Sequence, residues 1–370
     1  MDMSSEMVYP LIPLFLAGLG ATPLIIGLIE GIAESLAAFL RVFSGWWGDR
    51  TGQEKQLTVA GYSASLLYKL ILLFSTGWGG VLVARIVDRT GKGIRTAPRD
   101  SLLAASGGDK QLGRSFGFHK MMDMAGSALG VALAFCIIWV GLSFQEAFLL
   151  SMIPAGIGIV MVSLVKKTGG KTERKERGFT TKFRPSKRLV LFLITIFIFS
   201  IGNSSNAFLL LKASDVGFNE WQVILMYLIF NVTTSLFAYP FGKLSDKIGR
   251  SRLLIPGYCL YGVAYLGFAF VTQAWMVPVL FVIYGIYTAL VAGAERSLLV
   301  EQAPSEYKGT VLGLYGMCQG FGLLIASLLA GGLWTAMGSS VPFVVGGAIG
   351  FACAALIGVL FSTRKNSNPN

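Results

Sequence analysis

Histidine is nearly absent, with His119 the only one among 370 residues, so no imidazole pair is available for a metal centre. The four cysteines, Cys136, Cys259, Cys318 and Cys353, all sit inside apolar stretches without CxxC or paired spacing. That excludes both a disulfide framework and a zinc site and reads them as small buried hydrophobes. Charge is scarce too: 14% of residues are charged against 54% hydrophobic, and the mean hydropathy of +0.66 is far from that of a soluble globular domain. No nucleophile and base arrangement, metal motif or appended signalling domain supports an enzyme or a receptor. The first apolar segment has neither a basic n-region nor an A-x-A-like site, so no cleavable signal peptide is visible. No cofactor and no metal are expected.

What the sequence does have is apolar length. Twelve stretches, at about 4–20, 22–47, 57–76, 78–105, 115–140, 146–165, 188–211, 220–242, 253–272, 275–300, 309–336 and 341–362, match the helix length that a core of about 30 Å requires. The fold class is therefore an all-α membrane protein of twelve transmembrane helices, since the runs lack the alternation of barrel strands. The net charge of +12 would suggest nucleic acid in a soluble protein, but the cations are placed asymmetrically. With the N-terminus cytoplasmic, 21 of the 31 Lys and Arg fall in cytoplasmic loops and the tail, ten of them between Lys166 and Arg188, and only Lys212 falls outside. That distribution predicts a multi-pass protein of a bacterial inner membrane with both termini cytoplasmic and no nucleic-acid partner.

The chain also repeats itself. Gly45-Trp-Trp-Gly-Asp49-Arg50-Thr-Gly52 returns 197 residues later as Gly242-Lys-Leu-Ser-Asp246-Lys247-Ile-Gly249. At an offset of 196, Gly61-Tyr62 returns as Gly257-Tyr258, and Gly117, Met121 and Gly126 return as Gly313, Met317 and Gly322. The expected organisation is two pseudo-symmetric six-helix bundles, 1–165 and 189–370, joined by a basic cytoplasmic linker, 166–188. Both bundles insert in the same orientation.

GWWGDRTG between the second and third helices, echoed as GKLSDKIG between the eighth and ninth, resembles the cytoplasmic loop signature of the major facilitator superfamily. Arg85 followed by Gly93 and Pro98 is similar to that family's basic fourth-helix motif. Gly117, Gly126 and Gly130 match the spacing of the glycine motif of its proton-coupled exporters, which continues with proline where this chain has Val131. The resemblance implies a secondary transporter working by alternating access, coupled to protons and exporting its solute. In physical terms, glycines permit a tight turn and Asp49 can cap a helix or pair with a neighbouring cation. Gly45, Asp49, Arg50, Gly52, Gly242, Asp246, Lys247 and Gly249 are therefore expected to form a cytoplasmic gate, with Arg99 and Asp100 and their repeat counterparts Glu295 and Arg296.

The stretch 84–100, ARIVDRTGKGIRTAPRD, places seven charges in seventeen residues of a helix that should cross the bilayer. At about 100° per residue, all seven share one face about 140° wide, with Ile86, Val87, Ile94, Ala97 and Pro98 on the other. Such a face avoids lipid and marks either a pathway or an ion-paired scaffold. Near-complete pairing is possible, because the membrane-level positions of the first half carry eight cations against seven acids. The expected solute cavity takes Arg85, Arg89 and Lys92 from the first half and Asn203, Asn206, Tyr284, Tyr287 and Gln319 from the second. Glu30 and Glu34, four apart on one helix face, and Asp2 and Glu6 at the same spacing are expected to couple proton movement, with Asp123.

The cations favour a small anionic or zwitterionic organic solute. A divalent-metal exporter using the carboxylates and a non-transporting membrane sensor are the alternatives, and a monomer is expected. Finally, Ser4 and Ser5 line up with Ser204 and Ser205 at an offset of 200, leaving about thirteen apolar residues, Leu189 to Ile201, without a counterpart in the first half. The first helix is therefore expected to be truncated and to stop short of the cytoplasmic face.

Overall fold

The computed structural model describes residues 1–51, 53–107, 112–164, 185–303 and 308–362, with the backbone alone at 42, 45–51, 54, 97–98, 100–107, 112–121, 246, 292–293, 300, 308–310 and 362. Among the described residues every regular element is a helix. The chain divides into two compact units, Met1–Thr181 and Lys182–Asn370.

The first unit contains α1 (Asp2–Val8), α2 (Leu11–Gly18), α3 (Pro23–Thr51), α4 (Glu54–Leu73), α5 (Trp78–Gly107), α6 (Leu112–Trp139) and α7 (Phe144–Leu164). The second contains α8 (Lys187–Gly202), α9 (Asn206–Asp215), α10 (Glu220–Ile248), α11 (Arg250–Ala269), α12 (Met276–Gln302), α13 (Lys308–Met337) and α14 (Val341–Ser362). These fourteen helices are the twelve expected segments with the first and seventh each broken once.

The two breaks have different causes. Between α1 and α2, Pro10 cannot donate a backbone N–H and the helix restarts after it. Between α8 and α9, Asn203 leaves the helical region and the Ser205 side chain caps the restart by accepting from the Ala207 N–H at 3.3 Å. That break frees the Gly202 carbonyl, and the Tyr261 hydroxyl donates to it at 2.7 Å, so no buried acceptor is stranded there.

Ten helical stretches among the described residues are long and apolar enough to cross a membrane. The two segments missing from that set are α1 with α2, which are short, and α5, which is rich in charge. At 1.5 Å per residue, Asp2–Gly18 rises only about 25 Å, less than a core of about 30 Å.

The repeat register at the start of each unit is 197, not 200. Gly20 and Gly217 both adopt positive φ, 77° and 104°. Each closes the same turn, with Ala21 N–H to Leu16 O and Phe218 N–H to Ala213 O. Side-chain packing agrees, because Gly126 faces Met3 where its counterpart Gly322 faces Ser200. The Ser-Ser match was a coincidence of composition; Glu6 stands opposite Asn203, and Tyr9 opposite Asn206.

Candidate functional site

In the first unit, α5 is inverted relative to a lipid-facing helix. Arg85, Asp88, Arg89 and Arg95 are buried and Lys92 is half-buried, while Val83 on the other side is 53% exposed. Glycine sets how closely its neighbour approaches: a Cβ on Gly61 of α4 would lie 2.5 Å from the Arg95 Cβ and 2.6 Å from the Gly91 carbonyl oxygen. The charged face is thus pressed against α3 and α4, where carboxylates meet part of it.

Arg85 Nη2 lies 2.6 Å from Glu30 Oε1, and both side chains are 1% exposed. Arg89 Nη2 lies 3.0 Å from Glu34 Oε1, and Asp88 approaches both guanidinium groups, at 3.8 Å from Arg85 and 3.6 Å from Arg89. The ring of Tyr9, at the α1–α2 break, underlies the same two cations at 5.6 and 5.9 Å, a cation–π arrangement. Arg99 and Asp123 approach to 3.9 Å, and Asp2 neighbours Asp123.

Three cations of this cluster have no carboxylate within 4 Å among the described residues: Lys69, Lys92 and Arg95. Lys69 is fully buried and its ammonium donates to the Ser65 carbonyl at 2.9 Å. Arg95 sits over the Tyr62 ring at 5.1 Å, and its Nη1 has no hydrogen-bond partner. Lys92 and Arg95 share a cavity of about 30 Å³ with Asp2, Glu6 and Tyr9, roughly the share of one water molecule.

The second unit builds its polar centre from neutral groups. Tyr258, Tyr261 and Tyr265 follow helical spacing on α11, and Tyr284 and Tyr287 follow it on α12. Their rings pack with Phe199 and Phe230; Phe199 stacks on Tyr258 at 4.1 Å and Phe230 lies 5.3 Å from Tyr284. The Asn203 amide donates to Tyr287 at 3.3 Å, while its oxygen accepts from Tyr265 and Tyr284 at 3.4 Å each. Tyr284 also donates to Asn206 at 3.0 Å. The α8–α9 break is what turns both asparagines into this tyrosine cluster.

Glu295 is buried beside these rings. Its oxygens accept from Tyr258 at 2.6 Å and Tyr315 at 2.8 Å, and the Gln319 amide donates to Tyr315 at 2.7 Å. A cavity of about 180 Å³ adjoins them, lined among others by Asn203, Tyr287, Glu295 and Gln319.

Of the expected cavity residues, the structure brings Arg85, Arg89 and Lys92 together in the first unit, and Asn203, Asn206, Tyr284, Tyr287 and Gln319 in or beside the tyrosine cluster of the second. Among the expected coupling acids, Glu30, Glu34 and Asp123 meet arginines and Asp2 and Glu6 line the small cavity. Among the expected gate residues, Gly52 and the side chains of Asp49, Arg50, Asp100 and Asp246 lie outside the described residues, as does most of the 166–188 linker. Gly242, Lys247 and Gly249 are exposed, and Glu295 is held by two tyrosines instead of a salt bridge. Sequence reasoning passed over Tyr9, Lys69, Arg95, Tyr258, Tyr261, Tyr265 and Tyr315 as site residues. The i, i+3, i+7 spacing of the α11 tyrosines was the available signal for three of them. Among the described residues no group of three or more His, Cys, Asp or Glu is arranged to hold a metal.

Comparison with known proteins converges on one family. The family model of the Major Facilitator Superfamily matches residues 1–230 and 190–370. An uncharacterised MFS-type transporter of Methanocaldococcus jannaschii is 34% identical over 340 residues, covering 90% of this chain and 85% of that protein. A homologue of the multi-drug resistance efflux pump PmrA from Lactococcus lactis is 24% identical over 348 residues, covering 89% and 85%. Among solved structures, the nucleoside transporter NupG superposes with a TM-score of 0.80 at 12% identity, covering 97% of this chain and 98% of that one, which shows the shared fold. The chain belongs to the major facilitator superfamily and is a multi-pass secondary transporter, not an enzyme.

Proposed function

We propose that the protein is a proton-coupled exporter that moves a small anionic or zwitterionic organic solute by alternating access, as a monomer in a bacterial inner membrane. The observation that supports anion recognition is the uneven pairing on α5. Arg85 and Arg89 are already matched by Glu30 and Glu34, whereas Lys92 and Arg95 face the small cavity with no carboxylate within 4 Å. A solute carboxylate supplies the missing partner. The cavity has room for about one water, so recognition there requires the helices of the first unit to part.

Glu34, 27% exposed, and Glu6, which faces Lys92 across the cavity, are the carboxylates best placed to exchange a proton as the solute arrives. Resemblance to efflux pumps of the superfamily supports the outward direction. Proteoliposomes enclosing a pH-sensitive dye test the reading directly. Anionic or zwitterionic solutes should evoke proton flux that neutral analogues do not. Lys92→Gln should raise the half-saturating concentration of an anionic solute about tenfold, the loss of one charge-assisted hydrogen bond. Proton flux that no solute of either class alters overturns the proposal.

A further inference from the structure

The second unit's cavity contains a carboxylate that no cation neutralises. Glu295 is 3% exposed, and among the described residues no Lys or Arg nitrogen comes within 4 Å of it. Arg296, the next residue, also lines the cavity but is solvent-exposed. Tyr258 and Tyr315 each donate one hydrogen bond, one to each oxygen. A carboxylate offers about four acceptor positions, so about half remain open. A charge held this deep without a counter-ion is strongly destabilising, and the site is complete only when a cation enters.

The walls define which cation. Phe199, Tyr287 and Tyr315 line the cavity with aromatic surface, and Asn203 and Gln319 add amide groups. Aromatic faces attract organic cations. The volume of about 180 Å³ exceeds the roughly 150 Å³ that accommodates benzene in an engineered protein cavity. We propose that this cavity is a binding site for the ammonium group of an organic solute, with Glu295 as counter-ion and Tyr287 and Phe199 as walls. The solute class proposed above includes zwitterions, and an ammonium site selects them over plain anions; to that extent the inference rests on that reading.

Thermal unfolding of the purified full chain with benzylammonium, benzyl alcohol or benzoate tests it. Benzylammonium should raise the unfolding temperature in a saturable way, and the neutral, nearly isosteric benzyl alcohol should not. Glu295→Gln should abolish the shift. Arg296→Gln, at an exposed position where folding is safe, should lower the half-saturating benzylammonium concentration severalfold by removing a like charge. Equal stabilisation by benzyl alcohol, a shift that survives Glu295→Gln, or indifference to Arg296→Gln overturns the proposal. If Glu295→Gln does not fold, the Arg296→Gln arm decides. Benzoate separates the two readings: a benzoate shift lost in Lys92→Gln, with no benzylammonium shift, leaves anion recognition standing and removes the ammonium site. The converse result does the opposite.

Discussion

The two units use one backbone plan for opposite chemistries. A Cβ on Gly61 would meet Arg95 Cβ at 2.5 Å, and one on Gly257, its counterpart 196 residues later, would meet Val291 Cγ2 at 2.6 Å. The same helices approach at the same places. Yet the first unit fills the space beside that contact with ions, and the second fills it with phenols and amides. Neutral hydrogen bonds need one partner each, whereas a buried charge needs a counter-ion held in good geometry. The first unit therefore depends on exact pairing, and the second tolerates a single unpaired carboxylate because two tyrosines attend it.

The sharpest way to break the comparison is to remove one member of the most buried pair. Glu30→Ala leaves Arg85 charged at 1% exposure, and the expected loss is about 3–5 kcal/mol. Replacing both Glu30 and Arg85 by methionine should recover most of it. Detergent-titrated unfolding of the three variants checks this, and a double variant as unstable as Glu30→Ala would show that the pair is not the source of the loss.

In the second unit the matching change is milder. Tyr258→Phe removes one 2.6 Å hydrogen bond to Glu295 but leaves the ring stacked on Phe199 and the Tyr315 donor in place. The expected cost is about 1.5–3 kcal/mol, the range for hydrogen bonds to charged groups. A loss as large as that of Glu30→Ala would erase the contrast between ion pairing and phenol solvation.

A smaller effect separates the two glycines that seat the first helix of each unit. On Gly322 a Cβ would lie 2.3 Å from the Ser200 Cβ, inside any allowed contact, whereas on Gly126 it would lie 3.4 Å from the Met3 nitrogen, an ordinary one. Gly322→Ala should cost about 1–3 kcal/mol through overpacking, and Gly126→Ala much less. Equal unfolding temperatures for the two variants would mean that α1 and α8 are seated alike.

Much of this was legible in the sequence for physical reasons. Helix positions followed from apolar length, because a bilayer imposes nearly one length on every crossing segment. The charged face of α5 followed from helical period alone, and the structure buries that face. Pairing was not legible, because which of eight cations meets which acid depends on contacts between helices distant in sequence. Arg85 and Arg89 found partners, but Lys92 did not. The tyrosine cluster was partly missed because its members are as compatible with an apolar core as with a polar site. The register error had a different origin: a Ser-Ser dipeptide carries little information, while a glycine forced to positive φ by a turn carries much.

The smallest expected effect concerns the helices that follow those turns. Asn219 opens α10 with a capping box, its side chain accepting from the Gln222 backbone while the Gln222 side chain accepts from the Asn219 N–H at 2.8 Å. Its counterpart 197 residues earlier, Thr22, opens α3 with one long bond of 3.4 Å from the Ile25 N–H, followed by Pro23. Proline at the first helical position has no N–H to satisfy and a φ already suited to the helix, so α3 relies less on its cap than α10 does. Asn219→Ala should therefore cost about 1 kcal/mol and Thr22→Ala about half that, read as two small shifts in unfolding temperature. Both caps are exposed and far from the ionic and phenolic clusters, so neither variant should change solute-evoked proton flux. A Thr22→Ala loss equal to that of Asn219→Ala would mean that the proline contributes nothing to the start of α3, and that the two units begin their long helices by one mechanism instead of two.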